Sequence, residues 1–283
     1  MKNSRTYSFI AIFTIYLIAI AIGLLTYNLL PFSMWANLLL ADIAATLITF
    51  IFSVILKNAS VYDPYWSVQP MVITLAFAIG QSMNIFKILL LCAIFYWGIR
   101  LTANWAYTFK NLNHQDWRYT YLHEKTKSWY PIINLLGIHL FPTIVVYLCT
   151  LPAVYAITSS VTGNVWSYIF LAISFFAATL QLVSDIQMQK FRRKQSGGII
   201  TTGIWAYSRH PNYLGEILMW WGISLACICA LGFSWYLLIG AIINTLMFLF
   251  ISIPMAENRL HSRSGYDEYK KKTSMLLILP KRK

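Results

Sequence analysis

The sequence predicts an all-α, polytopic integral membrane helical bundle with about eight transmembrane helices, and three observations lead to this class. Hydrophobic residues make up 58% of the 283 residues and charged residues only 11%, with a mean hydropathy of +0.60. Apolar segments long enough to cross about 30 Å of hydrocarbon recur along the whole chain. No linker, repeat or low-complexity segment divides it, so a single membrane domain over residues 1–283 is expected.

Eight apolar segments are the predicted spans, and the third and seventh of them are short. In chain order they are 8–30, 35–56, 66–81, 86–106, 132–157, 165–188, 214–231 and 235–254. The first follows Lys2 and Arg5 but is too long for the apolar region of a signal peptide, and no small-residue cleavage site comes after it. It is therefore expected to remain as a membrane anchor.

The distribution of charge predicts the orientation of these spans. The loops at 31–34, 82–85, 158–164 and 232–234 contain no charged residue, whereas Lys and Arg collect in the segments of the opposite side. By the positive-inside rule both termini are cytoplasmic, and a bacterial inner membrane is the expected location. The net charge of +13 is expected to meet lipid head groups and not nucleic acid, because no block of it accompanies a nucleic-acid-binding motif.

The cysteines and histidines do not have the spacing of a metal site. All four cysteines lie inside apolar segments without a CxxC pair, and the five histidines include no HExxH motif and no pair one helical turn apart. No metal ion is therefore expected. The cysteines are interpreted as small buried apolar residues.

The segment Ser208–Glu216 places polar side chains directly before an apolar run that contains two adjacent tryptophans. Pro211 suits the first position of a helix, because that position needs no backbone donor. The unpaired N–H groups and the positive dipole end of this helix would then share one space with Arg209 and His210. Such an environment is suited to phosphate.

Polar residues also form stripes on other predicted helices, where they are costly in lipid and usually functional. The spacing of four residues places them on one helix face. Interhelical hydrogen bonding with arginine snorkelling is the alternative explanation. Asp42, in the second span, has no obvious partner nearby in sequence. The stripes are Tyr96, Arg100 and Asn104 in the fourth span, Gln181 and Asp185 with Arg192 beyond them in the sixth, and Asn212 with Glu216 in the seventh.

Three segments resemble the C-terminal domain of steroid 5-alpha-reductases and of their bacterial relatives. They are Gln181–Arg193, Ser208–Gly222 (SRHPNYLGEILMWWG) and Glu257–Pro280. The resemblance covers about residues 60–283 and makes 181–280 a steroid 5-alpha-reductase-like C-terminal region. It implies that NADPH enters from the cytosol and that a lipid-soluble enone enters from the bilayer. The implied activity is reduction of the carbon–carbon double bond conjugated to the carbonyl of a steroid- or lipid-like substrate.

The resemblance also implies site residues. A tyrosine hydroxyl held by an acid would stabilise charge on the substrate carbonyl, and this catalytic set would be Asp63 with Tyr65 or Tyr96. By this resemblance the NADPH-binding set would include Arg100, Asn104, Gln181, Asp185, Arg192, Asn212 and Glu216. Arg209, His210 and Tyr213 are added to the set from the phosphate-suited helix start.

An S-adenosylmethionine-dependent methyltransferase of the isoprenylcysteine or phospholipid type is the alternative interpretation. Its membrane members share the RHPxY helix start and a tyrosine-bearing tail. They carry paired acidic residues where this chain has the single Glu257, and they lack the combination of Asp185 and Arg192 with Asn212-x-x-x-Glu216. These differences favour the reductase. A transporter or scaffold would explain the helices but not the polar groups expected at one membrane face.

Overall fold

The computed structural model describes residues 2–194 and 197–281, and in this part the chain is helical without a β-strand. This confirms the predicted all-α membrane class. The helices are α1 (Arg5–Leu29), α2 (Met34–Leu56), α3 (Tyr65–Ala78), α4 (Ile85–Thr108), α5 (Trp117–Thr126), α6 (Tyr130–Ile133), α7 (Phe141–Thr158), α8 (Val165–Lys194), α9 (Pro211–Leu231), α10 (Ile239–Met247), α11 (Ile253–His261) and α12 (Tyr266–Lys272). Two π-helical segments, Asn134–Leu140 and Phe248–Ser252, precede α7 and α11.

Seven segments of the described chain are long and apolar enough to cross a membrane, one fewer than the sequence predicts. The difference is the predicted span 66–81. It corresponds to α3, whose 14 residues reach only about 21 Å at 1.5 Å per residue. The seven are Arg5–Leu29, Met34–Leu56, Ile85–Thr108, Trp117–Thr158, Val165–Lys194, Pro211–Leu231 and Trp235–His261.

The ends of the long helices follow from local sequence. Ser4 caps α1 by accepting a hydrogen bond from the backbone N–H of Tyr7. Pro211 opens α9, as the sequence predicts, and Gly232 closes it with a φ of 94° that favours glycine. The last turn of α8 is basic, which suits the negative end of the helix dipole.

The chain divides into two compact units. The first is Met1–Val72 with Leu101–Tyr147, and the second is Ile73–Arg100 with Leu148–Lys283. In the first unit α1 packs along α2. Ala19 and Ala45 belong to its buried core together with the rings of Tyr62 and Tyr65.

In the second unit, α8 and α9 pack closely because two glycines of α9 face α8. A Cβ atom at Gly215 would lie 2.6 Å from the carbonyl oxygen of Ala177, and one at Gly222 would lie 2.8 Å from that of Phe170. Glycine lets two backbones approach in a membrane interior, where close packing drives helix association. The polar side chains of α8 and α9 are thereby brought together.

Candidate functional site

A charged cluster lies at the interface of α4, α8 and α9 in the second unit. Nη1 of Arg100 donates to Oδ2 of Asp185 at 2.9 Å, and Nη2 of Arg100 donates to Oε1 of Gln181. Glu216 is the second carboxylate, with Oε2 at 4.0 Å from Nη2 of Arg100. Four residues predicted from sequence to bind the cofactor thus meet in one cluster.

Glu216 is buried and accepts hydrogen bonds from three side chains. Nε1 of Trp97 and Nε2 of Gln181 donate to Oε2 at 2.8 and 2.7 Å, and Nε1 of Trp220 donates to Oε1 at 2.9 Å. Trp97 is not among the residues predicted from the sequence, although it lies three residues before Arg100 on the same helix. An indole in an apolar helix is indistinguishable by composition from a residue of the core.

The first turn of α9 completes this side of the cluster. Nδ2 of Asn212 lies 3.4 Å from Oδ1 of Asp185, and Oδ1 of Asn212 accepts from the backbone N–H of Tyr213. The side chains of Asn212 and Asp185 are partly exposed, so each can meet a ligand. Arg192, seven residues after Asp185 on α8, is exposed.

Arg209 binds the C-terminal segment. Its guanidinium contacts Oε1 of Glu257 at 2.6 and 2.8 Å, and Nη1 donates to the carbonyl oxygens of Lys270 and Thr273 at 3.1 and 2.6 Å. Nζ of Lys270 lies 3.0 Å from Oε2 of the same carboxylate. The guanidinium of Arg209, which the sequence predicts to face phosphate, is thus bound to groups of the protein itself.

The ring of His210 stacks on that of Tyr213, with centroids 5.2 Å apart and an angle of 5° between the planes. Nε2 of His210 lies 3.4 Å from Oε1 of Glu257. Burial lowers the pKa of His210, and the nearby carboxylate of Glu257 opposes this shift. The imidazole therefore packs between the ring of Tyr213 and the carboxylate of Glu257.

Tyr65 in the first unit holds a buried carboxylate that the sequence left without a partner. Its hydroxyl donates to Oδ1 of Asp42 at 2.8 Å, and Nε2 of Gln69 donates to Oδ2 at 2.5 Å. All three side chains are buried. The acid next to the Tyr65 hydroxyl is thus Asp42, which α2 supplies.

Asp63 has other partners. The hydroxyl of Tyr119 donates to its Oδ1 at 2.5 Å, and Nη2 of Arg118 lies 3.8 Å from the same oxygen. Burial raises the pKa of Asp63 to about 6, and the nearby Arg118 opposes the shift. Asp63 and Asn104 both line a cavity of about 210 Å³ in the first unit, together with Trp66.

Tyr96, the other predicted hydroxyl, lies on α4 in the second unit. Its hydroxyl is 3.1 Å from that of Thr179, and its ring stacks on Phe175. It is half-buried, and no carboxylate is among these contacts. In residues 2–194 and 197–281, no three His, Cys, Asp or Glu side chains come together as a metal site.

Comparison with known proteins gives a family without an assigned function. A model of a protein family of unknown function, DUF1295, matches residues 49–273. This family is related to steroid 5-alpha-reductase-like proteins. An uncharacterized protein of Schizosaccharomyces pombe is 28% identical over 228 residues, which cover 69% of this chain and 64% of the yeast protein. The chain therefore spans less than two thirds of that relative's length. No solved structure matches it.

Proposed function

The chain belongs to the DUF1295 family, and from this premise we propose that it is a membrane-embedded, NADPH-dependent reductase. Its substrate is a lipid-soluble, steroid- or lipid-like molecule with a carbon–carbon double bond conjugated to a carbonyl. One observation carries the proposal: the Tyr65 hydroxyl is hydrogen-bonded to the buried carboxyl group of Asp42. Methyl transfer from a sulfonium has no comparable need for a buried acid and hydroxyl.

The pair has the chemistry that enone reduction requires of the protein. NADPH supplies hydride to the β-carbon, and negative charge then develops on the carbonyl oxygen. A protonated Asp42 can donate to the oxygen of Tyr65, which leaves the hydroxyl hydrogen of Tyr65 for the substrate oxygen. A hydrogen bond aimed at developing charge is strongest where water is excluded. Gln69 holds the other carboxyl oxygen and so fixes the orientation of the acid.

This assignment changes the acid predicted from sequence. Asp63 is the acid nearest to Tyr65 along the chain, but its Oδ1 accepts from Tyr119 and it lies beside Arg118. Asp42 has no basic side chain among its hydrogen-bond partners. A carboxyl group without a cation at its side is easier to keep protonated, which a proton donor needs.

The cluster in the second unit supplies groups that suit a nucleotide. Nε of Arg100 is buried and has no hydrogen-bond partner among residues 2–194 and 197–281, so it is the donor that a ligand oxygen would accept from. Asn212 and Asp185 are partly exposed, and Arg192 offers an exposed charge for phosphate. Glu216 and Arg209 have hydrogen-bond partners within the protein. In the proposal they position their neighbours and do not contact NADPH.

The proposal includes the location of the protein. The enone is drawn from the membrane lipids that surround the spans, and NADPH comes from the cytoplasm. Both termini are proposed to lie on the cytoplasmic side of a bacterial inner membrane, which requires the short α3 to cross the bilayer together with the seven long segments. The uncharged loops of the opposite side support this orientation.

Isotope transfer tests the function. Purified protein is incubated with NADPH deuterated at C4, in each stereoisomer, and with a panel of steroid and linear lipid enones. We expect deuterium at the β-carbon of at least one saturated product. A parallel incubation uses S-adenosylmethionine with a labelled methyl group, phospholipids and prenylated thiols. Methylation of one of these, with no deuterium in any enone, would overturn the reductase and leave the methyltransferase.

A further inference from the structure

A row of buried polar side chains lies along one face of α2 in the first unit. Asp42, Thr46, Thr49 and Ser53 follow one another at intervals of four, three and four residues, which places them on one helix face. All four are at most 5% exposed. The row covers about 16 Å at 1.5 Å per residue, and Ser53 lies within one turn of the helix end at Leu56.

Hydrogen bonds connect this face to two other segments of the unit. The Thr46 hydroxyl lies 2.9 Å from that of Thr143, which lies 2.8 Å from the hydroxyl of Tyr62. Thr46 also interacts with the hydroxyl of Tyr65, the residue bonded to Asp42. The hydroxyls thus form a chain that starts at the acid. We name the α2 polar column as Asp42, Thr46, Thr49, Ser53, Tyr62, Tyr65, Gln69, Asn134, His139 and Thr143.

Three atoms of the column are buried and have no hydrogen-bond partner in the part of the chain that the structure describes. They are Oε1 of Gln69, Oδ1 of Asn134 and Nε2 of His139. Buried polar atoms in native proteins nearly always have a partner, and where the protein supplies none an ordered water usually does. The column therefore has three atoms to which a water molecule could bond. Oε1 of Gln69 is near Asp42, Nε2 of His139 is near Tyr62, and Oδ1 of Asn134 is near Ser53.

The last two of these atoms belong to the π-helical segment Asn134–Leu140. Nδ1 of His139 lies 2.9 Å from the carbonyl oxygen of Asn134, which leaves Nε2 as the nitrogen without a partner. The imidazole packs at 4.7 Å from the ring of Tyr62. Nδ2 of Asn134 reaches the hydroxyl of Ser53 at 3.4 Å. π-helical turns are rare in proteins as a whole, and many of those that occur lie at functional sites.

Enone reduction requires a supply of protons, so a catalytic role for the column rests on the proposed function. Hydride forms the C–H bond at the β-carbon, and the double-bond electrons move to give an enolate. The enolate takes a proton from Tyr65 and tautomerises to a C–H bond at the α-carbon. NADPH leaves oxidised, and Tyr65 recovers a proton from Asp42. Each turnover thus consumes one proton from water, which must reach a buried acid.

We propose that the α2 polar column, with water bound at its three unpartnered atoms, carries this proton from the end of α2 to the Asp42–Tyr65 pair. Chains of hydroxyl, imidazole and carboxyl groups inside membrane helices are typical of proton relays. Thr46 and Thr143 act in it as positioning residues, because they act through the hydroxyls of Tyr65 and Tyr62 to which they bond.

The test compares Thr46→Val, which removes only the hydroxyl, with Thr46→Ser, which keeps it. Thr26→Val is the matched control, since the Thr26 hydroxyl bonds to a carbonyl of its own helix. We expect Thr46→Val and Thr143→Val to lower turnover by at least about tenfold and by no more than about 10⁴-fold, the upper end of what general acid–base catalysis contributes. The solvent isotope effect should rise and the isotope effect of deuterated NADPH should fall, because proton delivery becomes limiting. Thr46→Ser should restore both.

A second readout does not depend on catalysis. The infrared band of the protonated carboxyl group, assigned with Asp42→Asn, should shift rapidly after transfer of the protein into D₂O. The rate of this shift measures hydrogen–deuterium exchange at the Asp42 carboxyl group. The exchange should be severalfold slower in Thr46→Val and unchanged in Thr26→Val. Isotope effects and exchange that are the same in Thr46→Val and Thr26→Val would overturn the relay. If no enone accepts deuteride, the reductase fails, and the exchange measurement alone then decides whether the column conducts protons.

Discussion

Trp97 of α4 and Trp220 of α9 hold one carboxylate between their indole nitrogens. Their Nε1 atoms lie 2.8 and 2.9 Å from the two oxygens of Glu216, and their rings meet edge to face with centroids 4.9 Å apart. Both rings and the carboxylate are buried. The Glu216 carboxylate thus links α4 to α9, and its hydrogen bonds to the protein leave few positions for a further donor.

The first prediction is that Glu216 stabilises the fold more than it binds a ligand. Glu216→Ala leaves the N–H groups of Trp97, Gln181 and Trp220 without an acceptor. Hydrogen bonds between membrane helices contribute about 0.6–1.7 kcal/mol each, so three of them give about 2–5 kcal/mol. Thermal unfolding in detergent should show this loss, and Glu216→Gln should show a smaller one.

Glu268→Ala is the control, because Glu268 is exposed and pairs with Lys272 at the surface. It should unfold like the wild-type protein. A Glu216→Ala protein of normal stability that binds NADPH weakly would instead make Glu216 a direct ligand contact, as the sequence predicts.

The second prediction separates the two candidate hydroxyls. Tyr65→Phe removes the hydroxyl that is hydrogen-bonded to Asp42. Loss of one donor to a developing oxyanion typically lowers turnover by about 10²–10³. Tyr96→Phe removes a hydroxyl bonded to Thr179 and should have little effect. Turnover and NADPH affinity are measured for both. Equal losses in the two variants would refute the assignment to Tyr65.

The third prediction concerns the close packing of α8 and α9. Alanine at Gly215 or Gly222 would bring a methyl group to 2.6 or 2.8 Å from a backbone oxygen of α8. Overpacking of this kind costs about 1–3 kcal/mol, which unfolding experiments can detect. Gly137→Ala is the control, because its nearest neighbour would be an ordinary 3.8 Å contact with Ile133. Wild-type stability in both α9 variants would show that the helices can move apart without cost.

The fourth prediction is a pH dependence from Asp63. Its folded pKa of about 6 lies above the ordinary value of 3.8 because the group is buried. Stability from the bound proton is complete below about pH 4 and is lost as the pH rises through about 6. Two pH units correspond to about 3 kcal/mol. Asp63→Asn should remove this dependence and make the protein more stable at pH 8. Parallel pH–stability curves for the variant and the wild type would exclude Asp63 as the source of the pH dependence.

The fifth prediction places two loops on opposite sides of the membrane. Three spans lie between Ser160 and Ser262, so a cysteine at Ser160 should react with an impermeant maleimide added outside intact cells, and one at Ser262 should not. Cys92→Ser removes the exposed native thiol. A cysteine at Asn3 should be protected like that at Ser262, which requires α3 to cross the bilayer as well. Labelling of Asn3→Cys from outside would place the termini on opposite faces.

The fold class was accessible from sequence because membrane insertion depends on composition and length. Apolar segments of about 20 residues must become helices in hydrocarbon, where every backbone N–H needs an internal partner. The helix start at Pro211 follows from proline chemistry, and the shared face of Gln181 and Asp185 follows from helical periodicity. These are local properties, and each is present in the structure.

Partners on different helices could only be found in the tertiary structure. Periodicity states which side chains share a face but not which face of another helix they meet. Asp42 and Tyr65 are 23 residues apart, and Trp97 and Glu216 are 119 apart. For the same reason the sequence assigned Arg209 to a phosphate, whereas packing of the C-terminal segment gives it Glu257. The sequence alone determined a membrane helix bundle and its polar faces; helix packing decided which acid, hydroxyl and cation became partners, because it sets the distances between them.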